Sequence, residues 1–474
     1  MKGDAHKSLL WSGIQQFVVF GIQFGVGIVL ARLLTPFDFG VIAMQGVFFA
    51  ISNAFIDCGL EGALIQKKEC TREDANSAFI FSVTISVALY LLLFWGAPLI
   101  QDFYQTPNLG KVLRVSALVL MINAAGIVPR SLLQRQLRFK ELAIASTTIY
   151  FFAGAVAVYM AYHGYAYWAL VGQTLLAAFL MNIAYYVYAR WWPSFKFSVE
   201  SFRQLITFGL PMMFTALVHA VYSNIYSLII GKQYNAHQLG LYNRAENYSG
   251  YVSYNLSDMS MRALYPIISR VQDDLSQLKT AALRILHSSA FIVIPINIFL
   301  MVKAEDIICI LLTEKWLEMA PLMQVMCLSN MAYVVTNLYF NLFKAIGRTQ
   351  ILFICELINK ILGILILLIT FQYGLLVMVY GLLVYGVLSV LIGSFFVDRF
   401  ISITLREQGR QVYWVVVNAV MPILACVLLG ASIDNLYLRF ALSFIAYFGT
   451  YALLAWIEKD EAIDFLKGYF KHGE

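Results

Sequence analysis

Apolar runs of about twenty residues succeed one another along almost the whole chain, from near residue 9 to near residue 457, with only short polar breaks. A run of that length is what one α-helix needs to cross the hydrocarbon core of a bilayer, where helical backbone satisfies its own hydrogen bonds without water. About fourteen such spans would take up some 280 residues, close to the 61% of the 474 residues that are hydrophobic. Charged residues make up only 13%, against roughly 25% in an ordinary soluble domain. The chain reads as an all-α polytopic membrane protein with almost nothing outside the bilayer. The same numbers exclude a soluble enzyme, a disordered chain and a nucleic-acid-binding module.

Gly, Pro and charged residues divide the runs into spans near 9–34, 39–60, 77–101, 112–133, 142–162, 166–189, 206–231, 240–267, 284–302, 319–343, 349–371, 375–397, 412–432 and 437–457. The second and eighth are the weakest. The first is too long for the apolar region of a signal peptide and has no small-x-small cleavage site, so an uncleaved span is expected. The six cysteines are scattered without metal or disulfide spacing and read as small apolar helix residues. Twenty-four of the 33 Lys and Arg residues fall in loops on one side and eight on the other. The positive-inside rule makes the richer side cytoplasmic, with both termini there and an even number of spans.

Sliding the chain by 200 residues lays Ala31-Arg32-Leu33-Leu34-Thr35-Pro36-Phe37-Asp38-Phe39-Gly40 on Gly231-Lys232-Gln233-Tyr234-Asn235-Ala236-His237-Gln238-Leu239-Gly240. An offset of 210 lays Arg138 on Arg348 and Gly164 on Gly374. A duplicated unit of six spans, an even number, gives two lobes related by a pseudo-two-fold axis along the membrane normal, with a binding site between them. The expected organisation is a lobe over 1–200 that includes a cytoplasmic linker, a lobe over 201–400, and two extra helices with a tail over 401–474.

No Walker sequence, G-x-G-x-x-G, H-E-x-x-H or nucleophile elbow is present, and no hydrophilic loop is long enough for a catalytic domain. Neither catalytic residues, a metal nor a cofactor is expected. The informative residues are polar groups within spans, which must face protein or water because a charge facing lipid at the midplane costs about 2.5–3.5 kcal/mol. The eighth span carries Arg244, Asn247, Tyr248, Tyr251, Asn255, Asp258 and Arg262 at steps of three and four, hence on one helical face. That face either lines an aqueous cavity or packs polar-side-in against neighbours. Asn53, Asp57 and Glu61 form a smaller set in the second span. Glu356, Asn359 and Lys360 share a face in the eleventh, where Glu356 and Lys360 can also neutralise each other. His219 and Asn224 of the seventh span are further candidates.

Several stretches resemble blocks of a known family. They are Ala31–Gly40, Arg135-Gln136-Leu137-Arg138-Phe139-Lys140, Trp168-Ala169-Leu170-Val171-Gly172-Gln173, Leu239-Gly240-Leu241-Tyr242-Asn243-Arg244-Ala245, Leu264-Tyr265-Pro266, Glu314-Lys315-Trp316 and Lys344-Ala345-Ile346-Gly347-Arg348. In order and spacing they resemble the Wzx-type lipopolysaccharide and exopolysaccharide flippases of the multidrug/oligosaccharidyl-lipid/polysaccharide exporter superfamily, in the branch similar to colanic and teichuronic acid exporters. Thr313 departs from the glycine expected before Glu314-Lys315-Trp316. The resemblance implies a monomer in the bacterial inner membrane that carries an oligosaccharide on an undecaprenyl diphosphate across it by alternating access. Membrane lipids surround it, and polysaccharide polymerase machinery is a further candidate partner. A diphosphate needs fixed cations, for which Arg244, Arg262 and Lys360 are placed. Sugars need amides and aromatic faces, available in Asn247, Tyr248, Tyr251 and Asn255. Coupling to an ion needs a carboxylate, and Asp57, Asp258 and Glu356 are the candidates. A drug or small-cation antiporter of the same fold is the alternative, but it wants an acidic cavity, and these residues balance three cations against three anions. A polysaccharide polymerase would need a large periplasmic loop, which the sequence lacks.

Overall fold

The computed structural model describes residues 2–270 and 274–460, with side chains placed except at 2–17, 252, 258–260, 262–267, 269–270 and 430–432. The first half contains α1 (Lys2–Leu33), α2 (Pro36–Ala43), α3 (Gly46–Asp57), α4 (Leu60–Gln66), α5 (Arg72–Tyr104), α6 (Leu109–Ser116), α7 (Leu118–Arg135), α8 (Phe139–Tyr162), α9 (Trp168–Ala189) and α10 (Val199–Gln233). The second contains α11 (Ala236–Arg270), α12 (Leu275–Val302), α13 (Ala304–Leu311), α14 (Ala320–Ala345), α15 (Thr349–Thr370), α16 (Leu375–Ile401), α17 (Leu405–Val420), α18 (Ile423–Ser432) and α19 (Leu436–Ile457). The protein is 87% helical, and no strand occurs among the described residues.

Helix starts follow local chemistry. Thr35 and Asp38, Thr71 and Asp74, and Thr404 and Glu407 each exchange side-chain and backbone hydrogen bonds across three residues, which fixes the first turns of α2, α5 and α17. Twelve helical segments among the described residues are long and apolar enough to cross a membrane. Five of them run through more than one helix: α2–α4, α6–α7, α17–α18, the segment Glu314–Ala345, which enters α14 through a short 3₁₀ turn, and Thr349–Tyr373, which leaves α15 through another. Of the fourteen expected spans, the first is described as apolar only over Val18–Leu33, and the eighth, α11, is too polar to qualify. Trp95, Leu99, Leu92, Phe395, Ile445 and Trp456 are between 62% and 74% exposed. So many large exposed apolar side chains suit lipid and not water. The chain is a multi-pass membrane protein.

The helices form two compact units, Met1–Gly240 and Leu241–Glu474. In the first, α1 packs along α8, α8 on α9, α7 on α5 and α9, and α10 on α3 and α5. Close approach rests on small residues: a Cβ on Gly154 of α8 would lie 2.5 Å from Val26 of α1. The bend between α3 and α4 is the other such point. Cys58 and Gly59 take left-handed φ values of 45° and 68°, and a Cβ on Gly59 would stand 2.6 Å from the backbone oxygen of Gly209 in α10. Helix α10 therefore seats on the broken second span, beside a cluster formed by Leu60, Leu64, Val128, Trp191 and Leu205. In the second unit α14 lies between α12 and α16, α15 packs on α16, and α12 carries α17.

The 210-residue register reappears in the backbone. After α7, Leu137 has φ 55° and the Arg138 amide donates to the Leu133 carbonyl at 3.1 Å. After α14, Gly347 has φ 71° and the Arg348 amide donates to the Phe343 carbonyl at 3.0 Å. Both are six-to-one helix caps built on a left-handed residue. Gly164 and Gly374, also 210 apart, have φ 80° and 110°.

Candidate functional site

Helix α11 breaks the pattern of its neighbours because it is polar on two faces. One face is buried and small. Ala245, Ser249, Ser253 and Ser257 recur every four residues, each no more than 1% exposed. The Ser253 hydroxyl donates to Asn297 Oδ1 of α12 at 3.1 Å and accepts from Asn297 Nδ2 at 2.8 Å. Ser249 accepts from Asn330 Nδ2 of α14 at 3.3 Å. These bonds satisfy polar groups where water is absent, as a membrane-embedded helix requires.

The other face holds the expected stripe. Asn247 and Asn255 are exposed, while Arg244, Tyr248 and Tyr251 are half-buried. Arg244 and Tyr248 are electrostatic neighbours one turn apart. The structure thus brings five of the expected substrate residues onto the open side of one helix. The side chains of Asp258 and Arg262 lie outside the described residues.

The candidates elsewhere sit as follows. Glu356 and Lys360 face each other within α15 at 3.6 Å, the self-neutralising arrangement that their spacing allows. Asp57 closes the α3–α4 bend, its Oδ1 accepting from the Glu61 amide at 3.1 Å. Glu61 pairs with Arg130 of α7 at 3.3 Å, and Asn53 is exposed. Arg135, one turn beyond Arg130, donates to the Leu64 carbonyl at 3.0 Å and to those of Ile65, Lys67 and Lys68, tying down the end of α4. His219 of α10 is exposed. The Asn224 amide bonds the Ala220 carbonyl at 2.8 Å.

The first turn of α11 belongs to the first unit, which ends at Gly240, and there it meets α2 through glycine. A Cβ on Gly40 would fall inside the Ala236 carbonyl, and one on Gly240 inside the Pro36 carbonyl. In the 200-residue register Pro36 matches Ala236 and Gly40 matches Gly240. Each contact is therefore the counterpart of the other, the first residue of one turn resting on the fifth of its copy. Such self-complementary pairing is the mark of a local two-fold axis.

Sequence reasoning passed over Glu246, Asn297 and Asn330, and it took no account of the serine face. The four-residue spacing of Ser249, Ser253 and Ser257 was the available signal. Glu246 is exposed and, seven residues before Ser253, falls on the serine side of the helix and away from the polar stripe.

A family profile described as "Polysaccharide biosynthesis protein" matches residues 29–321. The lipopolysaccharide biosynthesis protein WzxC of Escherichia coli is 24% identical over 350 residues, which is 72% of this chain and 70% of that one. The teichuronic acid biosynthesis protein TuaB of Bacillus subtilis is 25% identical over 408 residues, 85% of this chain and 83% of its own. Among solved structures, the lipid II flippase MurJ in an inward closed conformation superposes with a TM-score of 0.78 at 14% identity, covering 96% of this chain and all of MurJ. The helices here have the fold of that flippase.

Proposed function

The chain belongs to the polysaccharide biosynthesis protein family, and from that premise we propose that it is a flippase moving undecaprenyl-diphosphate-linked oligosaccharide units from the cytoplasmic to the outer leaflet of a bacterial inner membrane. The observation that carries the reading is α11, a helix whose serine face is fastened inside the second unit while its other face offers a guanidinium, amides and phenols to solvent. Arg244 supplies planar, permanently charged donors suited to a phosphate oxygen pair. Asn247, Tyr248, Tyr251 and Asn255 supply hydrogen bonds and ring faces for sugars. Arg262, which the sequence spacing groups with them, is a further candidate. Lys360, held by Glu356, is the more remote candidate.

Transport in this reading follows alternating access. The positive-inside bias places both termini in the cytoplasm and puts the Gly40–Gly240 seam near the outer face. The exported unit would pass to the polymerisation machinery outside. Deletion of the gene tests the reading: lipid-linked repeat units should accumulate on the cytoplasmic leaflet and surface polysaccharide should disappear. Normal surface polysaccharide in the deletion strain overturns it. Arg244→Ala, Arg262→Ala and Asp258→Ala should each abolish export with unchanged protein levels, and full export by all three would remove α11 from the substrate path.

A further inference from the structure

Four helices of the first unit bring a carboxylate, a guanidinium and two phenols together. Glu61, in the first turn of α4, pairs with Arg130 of α7, its Oε1 lying 3.3 Å from Arg130 Nε. Tyr185 of α9 stands within electrostatic reach of both members of the pair and of Tyr150 of α8. The close packing of α7 on α9 holds the set in place. A Cβ on Gly126 would lie 2.7 Å from Asn182 Oδ1. Asn182 Nδ2 donates to the Ile122 carbonyl at 2.8 Å, and the Tyr186 hydroxyl donates to the Ala125 carbonyl at 2.9 Å. Arg130 follows Gly126 by one turn, as Tyr185 follows Asn182 by nearly one.

The set opens to water and not to lipid. Beyond its first residue, α7 exposes only Asn123 and Arg130, seven residues apart and so on one face. Both are polar, which a lipid-facing side would not tolerate for the guanidinium. On α9 the exposed residues Ile183 and Val187 suit lipid. Tyr185, two residues from each, lies about 200° around the helix from them. The side chains of Arg130 and Glu61 are 48% and 26% exposed, so the pair is within reach of a ligand. A carboxylate offers only acceptors and a guanidinium only donors. Side by side, they match neighbouring hydroxyls, which can donate to Glu61 and accept from Arg130. The phenols add groups that both donate and accept, together with ring faces for the C–H side of a sugar. A phosphate would meet Arg130 already neutralised and Glu61 repelling it.

We propose that Glu61, Arg130, Tyr150 and Tyr185 form a sugar-binding subsite in the first unit, suited to a neutral polyhydroxyl ring, in addition to the residues of α11. The proposal rests on the flippase reading, whose substrate supplies the sugar. The test is equilibrium binding to the full chain in lipid nanodiscs with two probes: the lipid-linked repeat unit extracted from the deletion strain, and undecaprenyl diphosphate without sugars. The wild type should bind the glycosylated lipid more tightly than the bare carrier. Glu61→Gln should lower affinity for the glycosylated lipid by about tenfold, the loss expected when hydrogen bonds to a charged group go. Tyr185→Phe should lower it by a smaller factor, and neither variant should change affinity for the bare carrier. Unchanged binding in both variants overturns the proposal, and so does an equal loss for both probes, which would mark a phosphate site. Full affinity in the exchanged variant Glu61→Arg/Arg130→Glu would show a purely structural ion pair and overturn it too. A wild type that binds neither probe refutes the flippase reading itself; a wild type that binds both equally refutes the subsite alone.

Discussion

The seam between α2 and the first turn of α11 makes a sharp prediction. Non-bonded heavy atoms rest about 3.5–4.0 Å apart, and a Cβ at Gly40 or Gly240 would lie inside a facing carbonyl. Either Gly40→Ala or Gly240→Ala must part the two backbones by more than about 1 Å. Overpacking of this kind costs about 1–3 kcal/mol, which moves an equilibrium between closed and open seams by about 5- to 150-fold. Because the two glycines hold one contact between equivalent residues, parting it once relieves both. The double variant should therefore cost little more than either single variant, a strong departure from additivity. Spin labels at the exposed positions Phe37 and Gln233, in a cysteine-depleted background, would report the separation by pulsed resonance. The wild type should give a dominant short distance, and both single variants a shift of population to longer ones. Gly25→Ala is the control, since nothing lies within 4 Å of a Cβ there. Unchanged distances in both seam variants, additive shifts in the double variant, or an equal shift in the control would refute the reasoning.

Two further outcomes follow from the fold. Ser253→Ala leaves Asn297 Oδ1 buried without its donor and should destabilise the second unit by about 1–3 kcal/mol, with Ser253→Ala/Asn297→Leu recovering much of the loss; the midpoint of thermal unfolding in detergent reads both. Asp274 caps α12, and hydrogen bonds from the Gln277 amide and from the Ser276 hydroxyl and amide hold its carboxyl below the usual carboxylate range. A group depressed in the folded state contributes stability above its unfolded value of about 3.9 and loses it as pH falls through the folded one, so the protection factors of the Ser276 and Gln277 amides, corrected for the intrinsic exchange rate at each pH, should fall on acidification, and equally in Asp274→Ala at neutral pH.

Much of this architecture is legible in the sequence because a bilayer simplifies the code: apolar length locates spans, and Gly or Arg at fixed offsets marks equivalent turns. Gly40 and Gly240 align by eye and touch in space, and Leu137-Arg138 and Gly347-Arg348 share one cap. The limits have physical causes. The apolar run reads as a single span over 39–60, where the chain forms two helices, α2 and α3, and α4 continues past the left-handed Cys58–Gly59 bend. Glu356 and Lys360 share a face, and the spacing allows the 3.6 Å pair that they form within α15 without requiring it. In α11 the steps of three and four that pick out Arg244 and Asn247 step over Glu246. Serine at 249 and 253 looks like solvent-facing polarity until Asn330 and Asn297 are seen opposite it.

The serine face also bears on how the chain is made. A helix carrying hydroxyls and Glu246 on one side and Arg244 and amides on another gains little from entering lipid alone. As α11 leaves the ribosome its scattered apolar residues, such as Leu256 and Met261, give only a weak signal to halt it in the membrane, and the partners for Ser249 and Ser253, Asn330 and Asn297, are not yet synthesised. Its insertion must wait on α12 and α14. Until they arrive the second half of the chain has one segment fewer in the bilayer than its final form, and a truncation that ends between α11 and α12 should leave α11 outside the membrane and open to membrane quality-control proteases.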